Sequence, residues 1–307
     1  MDRLSCGRLS VAFRLRWKIT LLAVFLCLAT APIVALSTIP STTVISSNID
    51  ASLPIEESSK MSDKDDDLVK IDAVIFDLDG TLLDTERLSD EAMLYALFGL
   101  SKENTQHADD LLLPWELKSS ILGLRGSEWS PMVLEYFKKY GFRGKNCGDL
   151  ISPEQLWARW ECRLNELCSD VTACVGAREL VVSLAKRNIP MAIATSSQRH
   201  AVEIKRKNHS EIFDRIKVIV TGDDEALSRG KPSPDIYLLA ADRLGVRPEK
   251  CLVFEDAMSG VLSASNAGCQ VIAVPDLRMD THEFCDKAKL VLSSLEDFIG
   301  EDFGINL

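Results

Sequence analysis

Ile71-Asp72-Ala73-Val74-Ile75-Phe76-Asp77-Leu78-Asp79-Gly80-Thr81-Leu82-Leu83-Asp84-Thr85 is the stretch on which the fold is decided. Residues 73–76 are a short apolar, partly β-branched run, the texture of a strand buried on both faces. The run stops abruptly in Asp-Leu-Asp-Gly-Thr. In a parallel α/β sheet the carboxyl ends of the strands are where ligands bind, so two carboxylates arrive there two residues apart. Alternate residues of a strand point the same way, and Gly80 permits a sharp change of direction. Asp-x-Asp-Gly is also a common turn sequence, so the rest of the chain must decide between a site and a turn.

The chain has 307 residues, 46% hydrophobic and 26% charged, which is an ordinary globular composition with room for one large or two medium domains. Its net charge of -11 is unevenly spread. Residues 1–46 hold Arg3, Arg8, Arg14, Arg16 and Lys18 against Asp2 alone; taking these from totals of 35 and 46 leaves 30 basic and 45 acidic residues, a net of -15. An acidic body without a basic stripe argues against nucleic-acid binding. The nine cysteines form no C-x-x-C pair and the four histidines are scattered, which makes a zinc site improbable. Cys251 and Cys269 sit in apolar contexts and read as buried small hydrophobes.

Residues 1–18 are basic, and residues 19–36 are almost continuously apolar, with small-residue cleavage sites at Ala29-Thr30-Ala31 and Val34-Ala35. This is the layout of a secretory signal. The run is just long enough to span a bilayer if uncleaved, so membrane contact is expected only in that case. Residues 37–68 are Ser/Thr-rich and then charged, a disordered linker or the remainder of a targeting segment. Two-step import into a plastid fits equally, and Asn208-His209-Ser210 is a glycosylation acceptor if the route is secretory.

Beyond the opening stretch, residues 86–113, 115–121, 129–140, 153–168 and 177–187 have helical texture, with no β-branched alternation between them. A βαβ crossover needs far fewer residues. Residues 87–187 are therefore expected to form a separate helical cap domain, with Trp115, Trp129, Trp157 and Trp160 as its core. Strands are expected at 190–194, 216–220, 251–254, 270–274 and 290–292, and helices at 235–245 and 259–266. Residues 69–86 and 188–307 thus form a doubly wound parallel sheet.

Three strand ends carry polar groups toward one rim: Asp77 and Asp79, Thr195 and Ser196, Glu255 and Asp256. Lys231 lies in Gly230-Lys231-Pro232-Ser233-Pro234-Asp235, a loop stiffened by two prolines. Singly, Thr195-Ser196 and Glu255-Asp256 read as helix caps and Lys231 as a surface lysine. Jointly, in this order and on one side of a sheet, they read as a site. Three of these carboxylates, Asp77, Asp256 and more distantly Glu255, suit a hard, oxygen-bound Mg²⁺ that retains waters.

Asp77-x-Asp79, Thr195, Lys231 and Glu255-Asp256 resemble, in order, the four motifs of the haloacid dehalogenase-like hydrolase superfamily across residues 70–305, and the helical insertion resembles its C1-type cap. The runs Gly222-Asp223-Asp224, Gly230 to Ile236, Glu249 to Ala257 and Val274-Pro275-Asp276 look like the branch holding pseudouridine-5′-phosphatases, glycerol-3-phosphatases and the plant FMN hydrolase. The resemblance implies a Rossmann-like core and a Mg²⁺-dependent phosphomonoesterase acting on a small phosphorylated metabolite. Asp77 would be the nucleophile that forms an aspartyl-phosphate and Asp79 the general acid and base. Thr195, Ser196 and Lys231 would bind phosphate. Asp77, the Asp79 backbone carbonyl and Asp256 would hold the metal, with Glu255 binding directly or through water. Arg125, in Gly123-Leu124-Arg125-Gly126, matches a cap loop that enters the site, and either touches substrate or is a surface arginine. A monomer is expected. The competing readings are a β-phosphoglucomutase-type mutase, which shares all four motifs, and a membrane-tethered non-catalytic module.

Overall fold

The computed structural model describes residues 70–102, 104–105, 112–141 and 151–305, which all fall in one unit, Asp63–Leu307. The targeting segment and linker expected at 1–68 lie outside the described residues. Strand β1 (Ala73–Phe76) is fully buried, as its apolar run requires. It is followed by helices α1 (Glu86–Phe98), α2 (Trp115–Ile121), α3 (Gly126–Tyr140), α4 (Pro153–Leu167) and α5 (Ala177–Lys186) before the chain re-enters the sheet at β2 (Met191–Ala194). Then come α6 (Arg199–Arg206), α7 (Ser210–Phe213), β3 (Val218–Val220), α8 (Asp235–Leu244), β4 (Cys251–Glu255), α9 (Met258–Asn266), β5 (Gln270–Ala273) and β6 (Leu290–Val291).

The six strands are parallel in the order β3-β2-β1-β4-β5-β6. β1 is therefore flanked by β2 and β4, with Phe76 opposite Ile193 on one side and Phe254 on the other. This register sets Asp77, Thr195 and Glu255 side by side at one rim. Alternate side chains go to opposite faces. Val74, Phe76, Leu252 and Phe254 enter one hydrophobic cluster, while Ala73, Ile75, Cys251 and Val253 enter the other beneath α8 and α9. Phe76 and Phe254 stack with ring centroids 5.2 Å apart, and Phe298 meets Phe254 edge-on at 5.0 Å.

Several boundaries move. The helix expected over 86–113 stops at Phe98, because Gly99 takes a left-handed conformation (φ 68°), its N–H donating to the Tyr95 carbonyl and that of Leu100 to the Leu94 carbonyl, a glycine-closed helix end. Helix α5, grouped with the insertion by sequence, buries Ala177, Leu180, Val181 and Leu184 in the cluster against Met191 and Ile193 of the sheet. The insertion has a third cluster of its own, containing Trp129, Val133, Phe137 and Leu156, with Trp157 and Trp160 packed on it. Trp115 is not part of that core: Arg278, from the loop after β5, lies over its ring at 4.3 Å.

Phe254 is wholly buried between two aromatic rings. Phe254→Ala should therefore lower unfolding free energy by about 3–5 kcal/mol, read as a lower urea midpoint; an unchanged midpoint would contradict this packing.

Candidate active site

The turn after β1 is tight. Gly80 N–H donates to the Leu83 carbonyl (2.8 Å), and Leu82 and Leu83 donate back to Leu78 (3.0 and 2.9 Å). Gly80 has φ 85°, and a Cβ there would collide with the Asp256 carboxylate. Glycine is thus required twice over, for backbone conformation and for close approach.

Asp77, Glu255 and Asp256 are buried, and one carboxylate oxygen from each lies within 4.8 Å of the others. Lys231 is buried beneath them; its Nζ is 2.5 Å from Asp77 Oδ1 and 2.6 Å from Glu255 Oε1. It is no surface lysine. Tyr237, from α8, donates its hydroxyl to the same Glu255 oxygen, and Gly260 leaves room for that carboxylate, since a Cβ there would strike it. Glu255 is therefore engaged first in aiming Lys231. Asp256, by contrast, is held by a long hydrogen bond from Thr81 Oγ1 (3.5 Å).

Three buried carboxylates thus face one ammonium. Burial pushes the Asp77 carboxyl up, helped by the charges of Glu255 and Asp79 and opposed by Lys231. Burial likewise pushes Asp256 well up, with Asp77, Glu86 and Glu255 adding to it and Lys231 opposing. Lys231 is raised: burial works against its charge, and Asp77 and Glu255 overcome it. A cation seated between Asp77 and Asp256 would relieve this excess, and an all-oxygen donor set suits Mg²⁺.

Asp79 lies at the cavity wall. Burial favours its neutral form, but Lys205 and the Ser197 hydroxyl outweigh it and hold the carboxyl below its usual range. Lys205 Nζ is 2.5 Å from Oδ1; Ser197 Oγ donates to Oδ2 at 2.7 Å, and Thr195 Oγ1 does so at 3.3 Å. Thr195 Oγ1 in turn accepts the Ser197 N–H (3.0 Å), so it shapes the turn after β2 rather than capping α6, whose N-cap position is Gln198.

The cavity at this rim encloses about 980 Å³ including its mouth. One wall comes from the sheet (Asp77, Asp79, Thr195, Ser196, Glu255 and Asp256), the other from the insertion, with Trp129, Trp157, Trp160 and Lys118. Two serines of the sheet side hold the insertion loop: Ser196 Oγ donates to the Gly123 carbonyl (2.9 Å) and Ser259 Oγ to that of Leu122 (2.8 Å). The Ser196 hydroxyl, expected on phosphate, is thus turned to this loop. Arg125 does not line the cavity; its stem crosses Gly230, where a Cβ would meet it at 2.8 Å.

Sequence reasoning did not find Lys205, Ser197, Tyr237 or Lys118. Lys118 is buried against Glu86 (2.5 Å) and Asp90 (2.8 Å), joining α2 to α1. The available signal was periodicity: Lys205 occupies the inward stripe of α6 with Ala201 and Val202, where an apolar residue is the norm.

Residues 71–268 match the family model described as haloacid dehalogenase-like hydrolase. The chain is 36% identical over 236 residues to (DL)-glycerol-3-phosphatase 2 of Arabidopsis thaliana, covering 76% of this chain and 90% of that protein. It is 35% identical over 241 residues to the "Probable pseudouridine-5'-phosphatase" of Drosophila melanogaster, covering 78% and 96%. Among solved structures, CbbY from Rhodobacter sphaeroides in complex with phosphate superposes with a TM-score of 0.59 at 26% identity, covering 74% of this chain and 96% of that one.

The crowded carboxylates carry a signature in stability. Asp77 and Asp256 are raised from 3.8 in the folded chain, so above that pH the folded state binds more protons than the unfolded one. Their contribution is present in acid and is lost as pH rises through the raised values. Chelator-treated protein should therefore melt lower at pH 8 than at pH 5, and Asp256→Asn should shrink that difference. An equal fall in the variant would show that these carboxylates are not the cause.

Proposed function

Because the chain belongs to the haloacid dehalogenase-like hydrolase family and is a phosphatase of that family, we propose that it hydrolyses a small phosphorylated metabolite through an aspartyl-phosphate on Asp77, with Mg²⁺ as cofactor. The observation that carries this reading is the contact of Lys231 with Asp77 (2.5 Å) beside the Asp77–Glu255–Asp256 trio. Residues 154 positions apart are joined at the end of the central strand.

Asp77, Asp256 and the backbone carbonyl of Asp79 would hold Mg²⁺, with Glu255 one remove away through its hold on Lys231. When bound, the ion screens the repulsion between an anionic nucleophile and an anionic phosphate. An Asp77 oxygen attacks phosphorus as the bond to the leaving oxygen breaks, and Asp79 gives that oxygen its proton. Water then attacks the phosphorus of the acyl phosphate, Asp79 takes its proton, and Asp77 is regenerated as phosphate departs. Lys231 offsets the charge at Asp77, and Thr195 directs Asp79 and the turn beside it. Helices α1 to α4 act as the cap that meets the leaving group, which ranges over glycerol, a nucleoside, riboflavin or a sugar. The phosphatase names of the Arabidopsis and Drosophila relatives and the phosphate in the CbbY structure support a phosphomonoester.

Residues 68–307 should release phosphate from p-nitrophenyl phosphate only with Mg²⁺, and Asp77→Asn should lower kcat at least ~10³-fold. A panel of glycerol 3-phosphate, pseudouridine 5′-phosphate, FMN and hexose phosphates identifies the substrate. Bisphosphate-dependent isomerisation without net phosphate release would select a mutase instead, and full activity of Asp77→Asn would refute the covalent route.

A further inference from the structure

Lys205 is a buried ammonium for which the four-motif chemistry has no task. It is 1% exposed and stands on the inward stripe of α6, beside Ala201 and Val202. An ammonium in that position is costly unless it is paired. It is paired closely: Nζ lies 2.5 Å from Asp79 Oδ1 and 3.0 Å from Ser197 Oγ, and the same hydroxyl donates to Asp79 Oδ2 at 2.7 Å. One lysine and one serine thus grip both oxygens of a single carboxylate. Thr195 adds a longer bond to Oδ2 (3.3 Å).

A carboxylate with a donor on each oxygen is fixed in rotation and offers lone pairs rather than a proton. Of the two tasks given to Asp79, this arrangement suits the second, accepting the proton of the water that opens the phosphoenzyme. We propose that Lys205, together with Ser197, is a positioning residue for that half-reaction, an assignment that rests on the phosphatase reading above. Lys205 touches neither phosphate nor water in this role. It acts through Asp79, and its removal slows dephosphorylation while leaving phosphoryl transfer to Asp77 nearly intact.

The two half-reactions separate on p-nitrophenyl phosphate, whose leaving group departs without a proton. Slower breakdown of the phosphoenzyme lowers kcat and KM together and leaves kcat/KM in place. Lys205→Met should lower kcat about tenfold or more, with kcat/KM within about threefold of the parent, and a pre-steady-state burst of nitrophenolate should appear. Lys205→Arg, which keeps a donor and the charge, should restore most of kcat. Ser197→Ala should give the same split at smaller magnitude, and it decides the matter if Lys205→Met does not fold. Parent-like kinetics in both variants, or a fall in kcat/KM as large as that in kcat with no burst, would overturn the proposal while the phosphatase reading stands. A parent protein that releases no nitrophenolate would overturn both.

Discussion

The buried contact of Lys231 with Asp77 and Glu255 is the interaction on which the site depends. Two carboxylates at the ends of adjacent strands repel, and taking both out of water raises the cost. A single ammonium bridging them converts that repulsion into a fixed arrangement. It lies over the ring of Tyr237, whose hydroxyl donates to Glu255, and is reached through a loop bearing two prolines. The bridge settles the pair but not Asp256, and the surplus negative charge this leaves is what a divalent ion would answer.

The neighbouring carboxylate is managed differently. Asp79 is two residues from Asp77, yet it faces Lys205 and Ser197 rather than the carboxylate trio. Two lysines thus partition two aspartates of one turn, Lys231 on Asp77 and Lys205 on Asp79. Environments that push neighbouring carboxylates in opposite directions are a mark of acid–base sites. Here Asp77 is raised and Asp79 is lowered.

Much of this was legible in the sequence. Four-residue apolar runs ending in Asp77, Thr195 and Glu255 announce buried parallel strands, and β1 between β2 and β4 brings those ends together. Helix limits were legible where proline or a cap fixed them, as at Pro153 behind Ser152. The rest depends on tertiary direction. Lysine reads as a surface residue, so neither Lys205 nor Lys118 declared its burial. Tyr237 on an amphipathic helix reads as plain core, and its hydroxyl partner lies 18 residues away. The apolar face of α5 would suit the insertion or the sheet equally; only packing assigns it. Loop position placed Arg125 near the rim but could not tell which way its side chain would run.

The loop joining the insertion to the rim is fastened by Ser196 and Ser259 through the carbonyls of Gly123 and Leu122. Every residue type carries a carbonyl, so this attachment makes almost no demand on what the insertion displays elsewhere. Only Gly123, whose φ is 72° and which lies hard against Ser259, is constrained. What the insertion presents to the cavity is therefore set by its own packing, in which Trp129, Trp157 and Trp160 take part, and not by this attachment.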